Sequence, residues 1–167
     1  TNFDIEVTLI ESDTLGGTCL NRGCIPAKYW LHVAELNHEI DTSNEFGIEI
    51  KDKKINWQQT AQKRFDTVNK LVSGIGMLLK SKKVTVVEGW GSIKDKNTVN
   101  VKKQDGDEVD IYSDFILIAT GSKPREIPNI KVDEKFIITS DTALNWEEPP
   151  KKVCVIGAGA IGCEFAS

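Results

Sequence analysis

Apolar and polar residues alternate from the start of the chain: Phe3, Ile5, Val7 and Leu9 against Asp4, Glu6 and Thr8, with Ile10 following. A period of two predicts a strand from Phe3 to Ile10. The pattern then changes. Pro26 to about His38 reads as a helix with Leu31, Ala34 and Leu36 facing inward. Asp41 to Lys54 is polar and loop-rich, with a short extended Phe46-Gly47-Ile48. From about Asn56 to Lys80, Trp57, Ala61, Phe65, Val68, Val72, Ile75 and Leu79 recur at spacings of three and four. That is the apolar stripe of a long amphipathic helix, and Asn56 suits its N-cap. Strands follow at Val84 to Val87, Thr98 to Val101, Val109 to Tyr112 and Phe115 to Ala119. Gly89, Gly91 and Gly121 punctuate them, and Asp105-Gly106 marks a hairpin.

Near the end, Lys151 to Ile156 reads as a short buried strand, and Gly157 to Ser167 as the first turns of a helix. Cys154 in the strand and Cys163 in the helix read as core residues. Pro124, Pro128 and Pro149-Pro150 mark a connecting stretch, which places a domain boundary near Pro149-Pro150. No repeat of fixed period or low-complexity tract interrupts the pattern. A strand at the very start and half of a βαβ unit at the end predict a fragment, since such a unit takes ~30 residues.

Composition narrows the class. Apolar residues at 40% and charged residues at 28% exclude a disordered or collagen-like chain. No apolar run approaches the ~20 residues of a membrane span, and Thr1 to Glu6 lacks the features of a signal peptide. A net charge of −4 gives no electrostatic case for nucleic acid or anionic lipid. The lysine clusters Lys51 to Lys54 and Lys80 to Lys83 lie beside acidic stretches and read as solvated surface. Four cysteines are too few for a disulfide scaffold at this length. In a reducing compartment, a close pair is more often catalytic or metal-binding.

The most informative segment is Gly16-Gly17-Thr18-Cys19-Leu20-Asn21-Arg22-Gly23-Cys24-Ile25-Pro26-Ala27-Lys28. In a regular helix, Cys19 and Cys24 would lie roughly 8 Å apart, beyond the ~7 Å reach of a disulfide. A bond between them needs irregular backbone, which Gly23 permits. Pro26 suits the first turn of the helix that follows, so the pair falls at a helix N-terminus. There the dipole, the free N–H groups and Arg22 favour a thiolate. Two other readings stand beside a reactive dithiol. One is a zinc site with Cys154 or Cys163, which no CxxC or spaced histidine pair supports. The other is a pair of inert buried thiols.

This segment resembles the active site of the pyridine nucleotide-disulfide oxidoreductases, closest to the branch that oxidises dihydrolipoyl groups. The glutathione and mercuric reductase branches usually carry valine where this chain has Leu20 or Ile25. Two positions depart from the family wording. Ala27 stands where serine or threonine is common, and Arg22 where valine is common. Neither removes a reacting group; Ala27 puts only a local hydroxyl contact in doubt.

The resemblance extends from Ile5 to Ser167. It implies an α/β fold: residues 1–149 as most of a Rossmann-like FAD-binding domain with a β-rich insertion, and residues 150–167 as the first strand, turn and helix of an NAD-binding Rossmann domain. It implies FAD contacts at Glu11, Gly17, Thr18, Cys19, Lys28, Gly91 and Ala119-Thr120-Gly121-Ser122. Glu11 would receive the ribose hydroxyls, Lys28 would approach the flavin N5, and Gly89-Trp90-Gly91 would form a turn near the cofactor. Gly157-Ala158-Gly159-Ala160-Ile161-Gly162 fits the dinucleotide fingerprint after a strand, its glycines allowing close approach of pyrophosphate to a helix N-terminus. NAD contacts are then implied at Gly157, Gly159, Ala160, Ile161, Gly162 and Glu164. The residue that separates NAD from NADP lies ~20 positions on, past Ser167.

By the same resemblance, Cys19 and Cys24 form a redox disulfide. Cys19 would meet the substrate and Cys24 would pass electrons to the flavin, with no metal involved. The implied parent is a homodimer in the mitochondrial matrix or the bacterial cytoplasm. It would serve the lipoyl-bearing protein of a 2-oxo acid dehydrogenase complex. The family's catalytic His–Glu pair lies outside this sequence; His32 and His38 do not match it and read as ordinary helix residues. A related disulfide or mercuric reductase, and a non-catalytic folded fragment, are the alternatives.

Overall fold

The computed structural model describes residues 5–167. They form two compact units. One comprises the described residues through Gly17 with Lys70–Ser122, and the other comprises Thr18–Asn69 with Lys123–Ser167.

In the first unit, β1 (Thr8–Glu11) pairs in parallel with β2 (Thr85–Glu88), in a register running from Thr8 opposite Thr85 to Glu11 opposite Glu88. Parallel neighbours need a long crossover, and the helices between Gly17 and Ser81 supply it. The pairing continues at both ends: the Thr85 amide donates to the Val7 carbonyl at 3.0 Å and the Gly89 amide to that of Glu11 at 2.8 Å. The chain then enters an antiparallel meander of β3 (Trp90–Ile93), β4 (Thr98–Lys102) and β5 (Glu108–Tyr112). Its register places Gly91, Ile93, Val99, Val101, Val109 and Ile111 on one face. Val101 at the centre is fully buried. On the other face Asp110 accepts from Lys94 and from the Asn100 amide. The hairpin between β4 and β5 turns at Asp105-Gly106, as predicted, with the Lys103 amide donating to the Asp107 carbonyl at 2.8 Å.

The second unit is helical. It holds α1 (Gly17–Arg22, from Thr18 on), α2 (Cys24–Thr42), a single 3₁₀ turn at Ser43–Phe46, the first half of α3 (Trp57–Ser81), α4 (Ser140–Leu144) and α5 (Ala160–Ala166). Asn56 caps α3 as predicted, its Oδ1 accepting from the Gln59 amide at 3.1 Å. The buried residues are Leu20, Pro26, Ala27, Ala61, Arg64, Val68, Ala143 and Leu144. The Trp30 indole N–H donates to the Leu144 carbonyl at 3.1 Å, and the Trp30 ring lies 6.4 Å from that of Trp57. No helix among the described residues is long and apolar enough to cross a membrane.

Several expectations are corrected. The first strand covers only Thr8–Glu11; Ile5 to Val7 are not strand, and Phe3 and Asp4 lie outside the described residues. The helix expected from Pro26 to His38 runs from Cys24 to Thr42, because the break at Gly23 lets it start earlier and the polar residues after His38 tolerate a helix. Along it, Leu31 is half-buried, while Ala34 and Leu36 are exposed. Phe46 belongs to the 3₁₀ turn rather than to an extended segment. In α3, the buried line is Ala61, Arg64 and Val68; Phe65, one residue round the helix, is half exposed. Trp90 and Gly91 lie within a strand rather than a turn. Phe115 to Ala119 and Lys151 to Ile156 are not strands, because no described strand lies beside them to complete a ladder. They are largely exposed, and Cys154 and Cys163 are exposed rather than core.

Candidate active site

Leu20, buried on α1, anchors the short helix that carries Cys19. Arg22 closes α1, Gly23 breaks the helical path, and Cys24 is the first residue of α2. The Gly23 carbonyl accepts the first helical bond of α2, from the Ala27 amide at 3.0 Å. A side chain at position 23 would put its Cβ 3.0 Å from both the Cys19 Cα and the Thr18 carbonyl oxygen. Glycine is therefore what lets the end of α1 fold back against the start of α2. Pro26 sits within the first turn, where its missing N–H costs nothing.

This local path brings the two thiols together as hydrogen-bond partners. Both are free and exposed. The Cys24 thiol is pushed above its ordinary pKa, first by its hydrogen bond with Cys19, then by desolvation and by the nearby Cys19 charge. The backbone at the start of α2 and the Lys28 ammonium one turn on pull the other way and are outweighed. The expectation of a favoured thiolate is thus corrected for Cys24: the helix start acts in the expected direction, but a second thiol alongside dominates.

The remaining predicted residues fall into separate groups. Glu11 ends β1, half-buried, and its Oε1 accepts from the Asp13 amide at 2.9 Å. Gly91 packs beside β1, where a Cβ would stand 3.3 Å from Ile10 Cγ2. Within this unit, therefore, Gly91 and the end of β1 are neighbours. Ala119 to Ser122 form exposed irregular backbone, and no hydrogen bond links them to Glu11 or Gly91. Gly17 opens α1, Thr18 is half-buried within it, and Lys28 is exposed on α2.

At the other end of the chain, Gly159 is the N-cap of α5, and its carbonyl accepts from the Cys163 amide at 3.0 Å. No side chain caps this helix start. A Cβ on Gly162 would lie 2.0 Å from the Gly157 carbonyl oxygen, so the turn closes only with glycine there. That is the role of the third glycine in a dinucleotide turn, close packing of the helix onto the chain that enters it. Ala160, Ile161 and Glu164 lie exposed on α5. Among the described residues, no group of three or more histidine, cysteine or carboxylate side chains is arranged to hold a metal.

Arg64, the one buried charged side chain among the described residues, is not foreseen by the apolar pattern. Its signal was available: Trp57, Ala61, Arg64 and Val68 follow one another at spacings of four, three and four, and a long aliphatic stem can lie in an apolar stripe.

Comparison with known proteins places these features in context. The family model described as pyridine nucleotide-disulphide oxidoreductase matches residues 1–167. A dihydrolipoyl dehydrogenase from Bacillus subtilis is 36% identical over 171 residues, covering 98% of this chain and 36% of its own length. A dihydrolipoamide dehydrogenase from Chaetomium thermophilum is 45% identical over 166 residues, covering 98% of this chain and 33% of its own. The crystal structure of LpdA from Mycobacterium tuberculosis superposes with a TM-score of 0.78 at 24% identity, over 88% of this chain and 32% of that one. The chain spans about a third of the length of the curated relatives it matches.

Proposed function

Since the chain belongs to the pyridine nucleotide-disulphide oxidoreductase family, we propose that Cys19 and Cys24 are the redox pair of an enzyme that oxidises dihydrolipoyl groups. The observation that carries this reading is the hydrogen-bonded contact of two exposed thiols across the break at Gly23. The names of the relatives support the choice of substrate.

In the oxidised pair, one thiolate of the dihydrolipoyl dithiol attacks the Cys19 sulfur and breaks the Cys19–Cys24 bond. Cys24 leaves as a thiolate. The second substrate thiol then attacks the mixed disulfide and releases Cys19. Lipoyl disulfide is formed, two electrons pass to the cysteine pair, and the pair ends as two thiols holding two protons. This assignment makes Cys19 the interchange thiol and Cys24 the thiol that faces the flavin. Lys28 stabilises the Cys24 thiolate as it forms, consistent with the direction of its effect on that thiol.

The residues present fit the two nucleotides. Glu11 has acceptor capacity left beyond its bond to Asp13, which suits two ribose hydroxyls. Gly91, Gly17, Thr18 and Ala119-Thr120-Gly121-Ser122 complete the proposed FAD contacts. The uncapped start of α5 and the turn closed by Gly162 suit a pyrophosphate, with Gly157, Gly159, Ala160, Ile161 and Glu164 as the proposed NAD contacts. Two-electron uptake from the dithiol and hydride delivery to NAD⁺ are the chemistry that FAD supplies when bound. On this reading, residues 1–149 belong to the FAD-binding domain and 150–167 open the NAD-binding domain. The whole protein is an intracellular homodimer, in the mitochondrial matrix or bacterial cytoplasm, that meets a lipoyl-bearing protein of a 2-oxo acid dehydrogenase complex.

The test is Cys24→Ser in the full-length protein. It should retain flavin and lose oxidation of dihydrolipoamide; full activity would overturn the assignment. Lys28→Met should raise the Cys24 pKa further, because a cation that favours the thiolate is removed. Thiolate absorbance against pH in the reduced protein reads this directly.

A further inference from the structure

Arg64 poses a charge problem that the redox chemistry does not address. Its side chain is 6% exposed on α3. One guanidinium nitrogen, Nη2, donates to Asn145 Oδ1 at 3.1 Å, and that acceptor is neutral. The Nε atom is buried and has no hydrogen-bond partner. No carboxylate pairs with Arg64 among the described residues. A guanidinium stays protonated at any ordinary pH, and burying an uncompensated charge with an orphaned donor is costly. The desolvation is visible in its lowered pKa.

Arg64 also lines a cleft of about 320 Å³ in the helical unit. Ala61 and Phe65 contribute apolar lining, and Gln58, Gln62, Asn145 and Glu147 contribute polar lining. The volume lies at the small end of the range for ligand sites. The lining thus combines a cation with no carboxylate partner, neutral hydrogen-bonding groups, an apolar surface and the exposed carboxylate of Glu147.

We propose that this cleft binds a short-chain monocarboxylate, its head group on Arg64 and Asn145 and its aliphatic tail along Ala61 and Phe65. A planar carboxylate matches the guanidinium fork and supplies the negative charge that the neutral Asn145 acceptor does not. The exposed Glu147 adds a negative charge to the lining, which opposes a dianion such as phosphate more than a monoanion.

Calorimetric titration of the full-length protein with butyrate tests the site, with acetate and inorganic phosphate as comparison probes. Butyrate should bind saturably and more tightly than acetate or phosphate. Arg64→Gln should weaken it by about tenfold or more, and Arg64→Lys by less. Glu147→Gln, at an exposed position, should tighten it by about threefold. If Arg64→Gln does not fold, judged by circular dichroism, the Glu147→Gln titration decides. No saturable heat, equal affinity in wild type and folded Arg64→Gln, weaker binding in Glu147→Gln, or tighter phosphate than butyrate would each overturn the proposal.

Discussion

The segments Thr98 to Tyr112 and Phe115 to Ala119 both read as strand, the first as two alternating runs about a turn and the second as one continuous apolar run, yet they end in opposite states. The first is a hairpin whose central Val101 is fully buried. The second is irregular, with Phe115 at 90% and Leu117 at 91% exposure. Val153 to Ile156 shares its fate. The difference lies in the partners. An antiparallel neighbour is one tight turn away, and Asp105-Gly106 supplies that turn. Phe115 to Ile118 has no neighbouring strand among the described residues. Apolarity specifies that a segment wants cover; it does not specify that cover exists.

Four experiments test this contrast. Gly162→Ala should have the largest effect, because the turn that follows the unpaired Val153 to Ile156 is the one part of that region under a hard steric limit. The added Cβ falls 2.0 Å from a backbone oxygen that no rotamer can move. On the proposed role of the turn, NAD(H) binding by the full-length protein should weaken about a hundredfold, equivalent to ~2.7 kcal/mol. Val101→Ala should cost the meander about 2 kcal/mol in urea unfolding, from lost burial and the cavity left behind.

The third experiment uses pH. Asp110 is held below its ordinary carboxylate pKa, first by the hydrogen bond from Lys94 and then by that from Asn100. A depressed carboxylate stabilises the fold above its unfolded pKa, and that contribution is lost as pH falls through the folded value. Melting curves taken down from neutral pH should show this small decline, and Asp110→Asn should flatten it. The smallest effect is expected from Leu117→Ala, within ~0.5 kcal/mol for this 167-residue chain. A loss as large as that of Val101→Ala would mean that the run is covered in solution, and the contrast would fail.

What was legible in the sequence follows the same division. The long helix, its Asn56 cap and the β4–β5 hairpin were readable because a repeat or a turn within a few residues determines them. The Gly23 break was readable for the same reason, whereas α2 starts two residues before Pro26 and α1, which carries Cys19, was not read. The fate of Phe115 to Ala119 was not, because an apolar run does not reveal whether a strand lies beside it. Arg64 was hidden because a binary pattern scores a charged residue as outward and nominates Phe65 instead. The direction of the Cys24 shift was hidden too. Helix position and charge argue for a thiolate, and only three-dimensional placement reveals a competing thiol within hydrogen-bonding reach.

On the proposed redox role of Cys19 and Cys24, electron transfer is tied to proton balance. Two neutral thiols give up both protons when they are oxidised, because a disulfide holds none. Below the thiol pKa values, the midpoint potential of the couple therefore falls by about 59 mV for each unit rise in pH, two protons accompanying two electrons. Alkaline surroundings make the dithiol the better reductant, and acidic ones store its electrons.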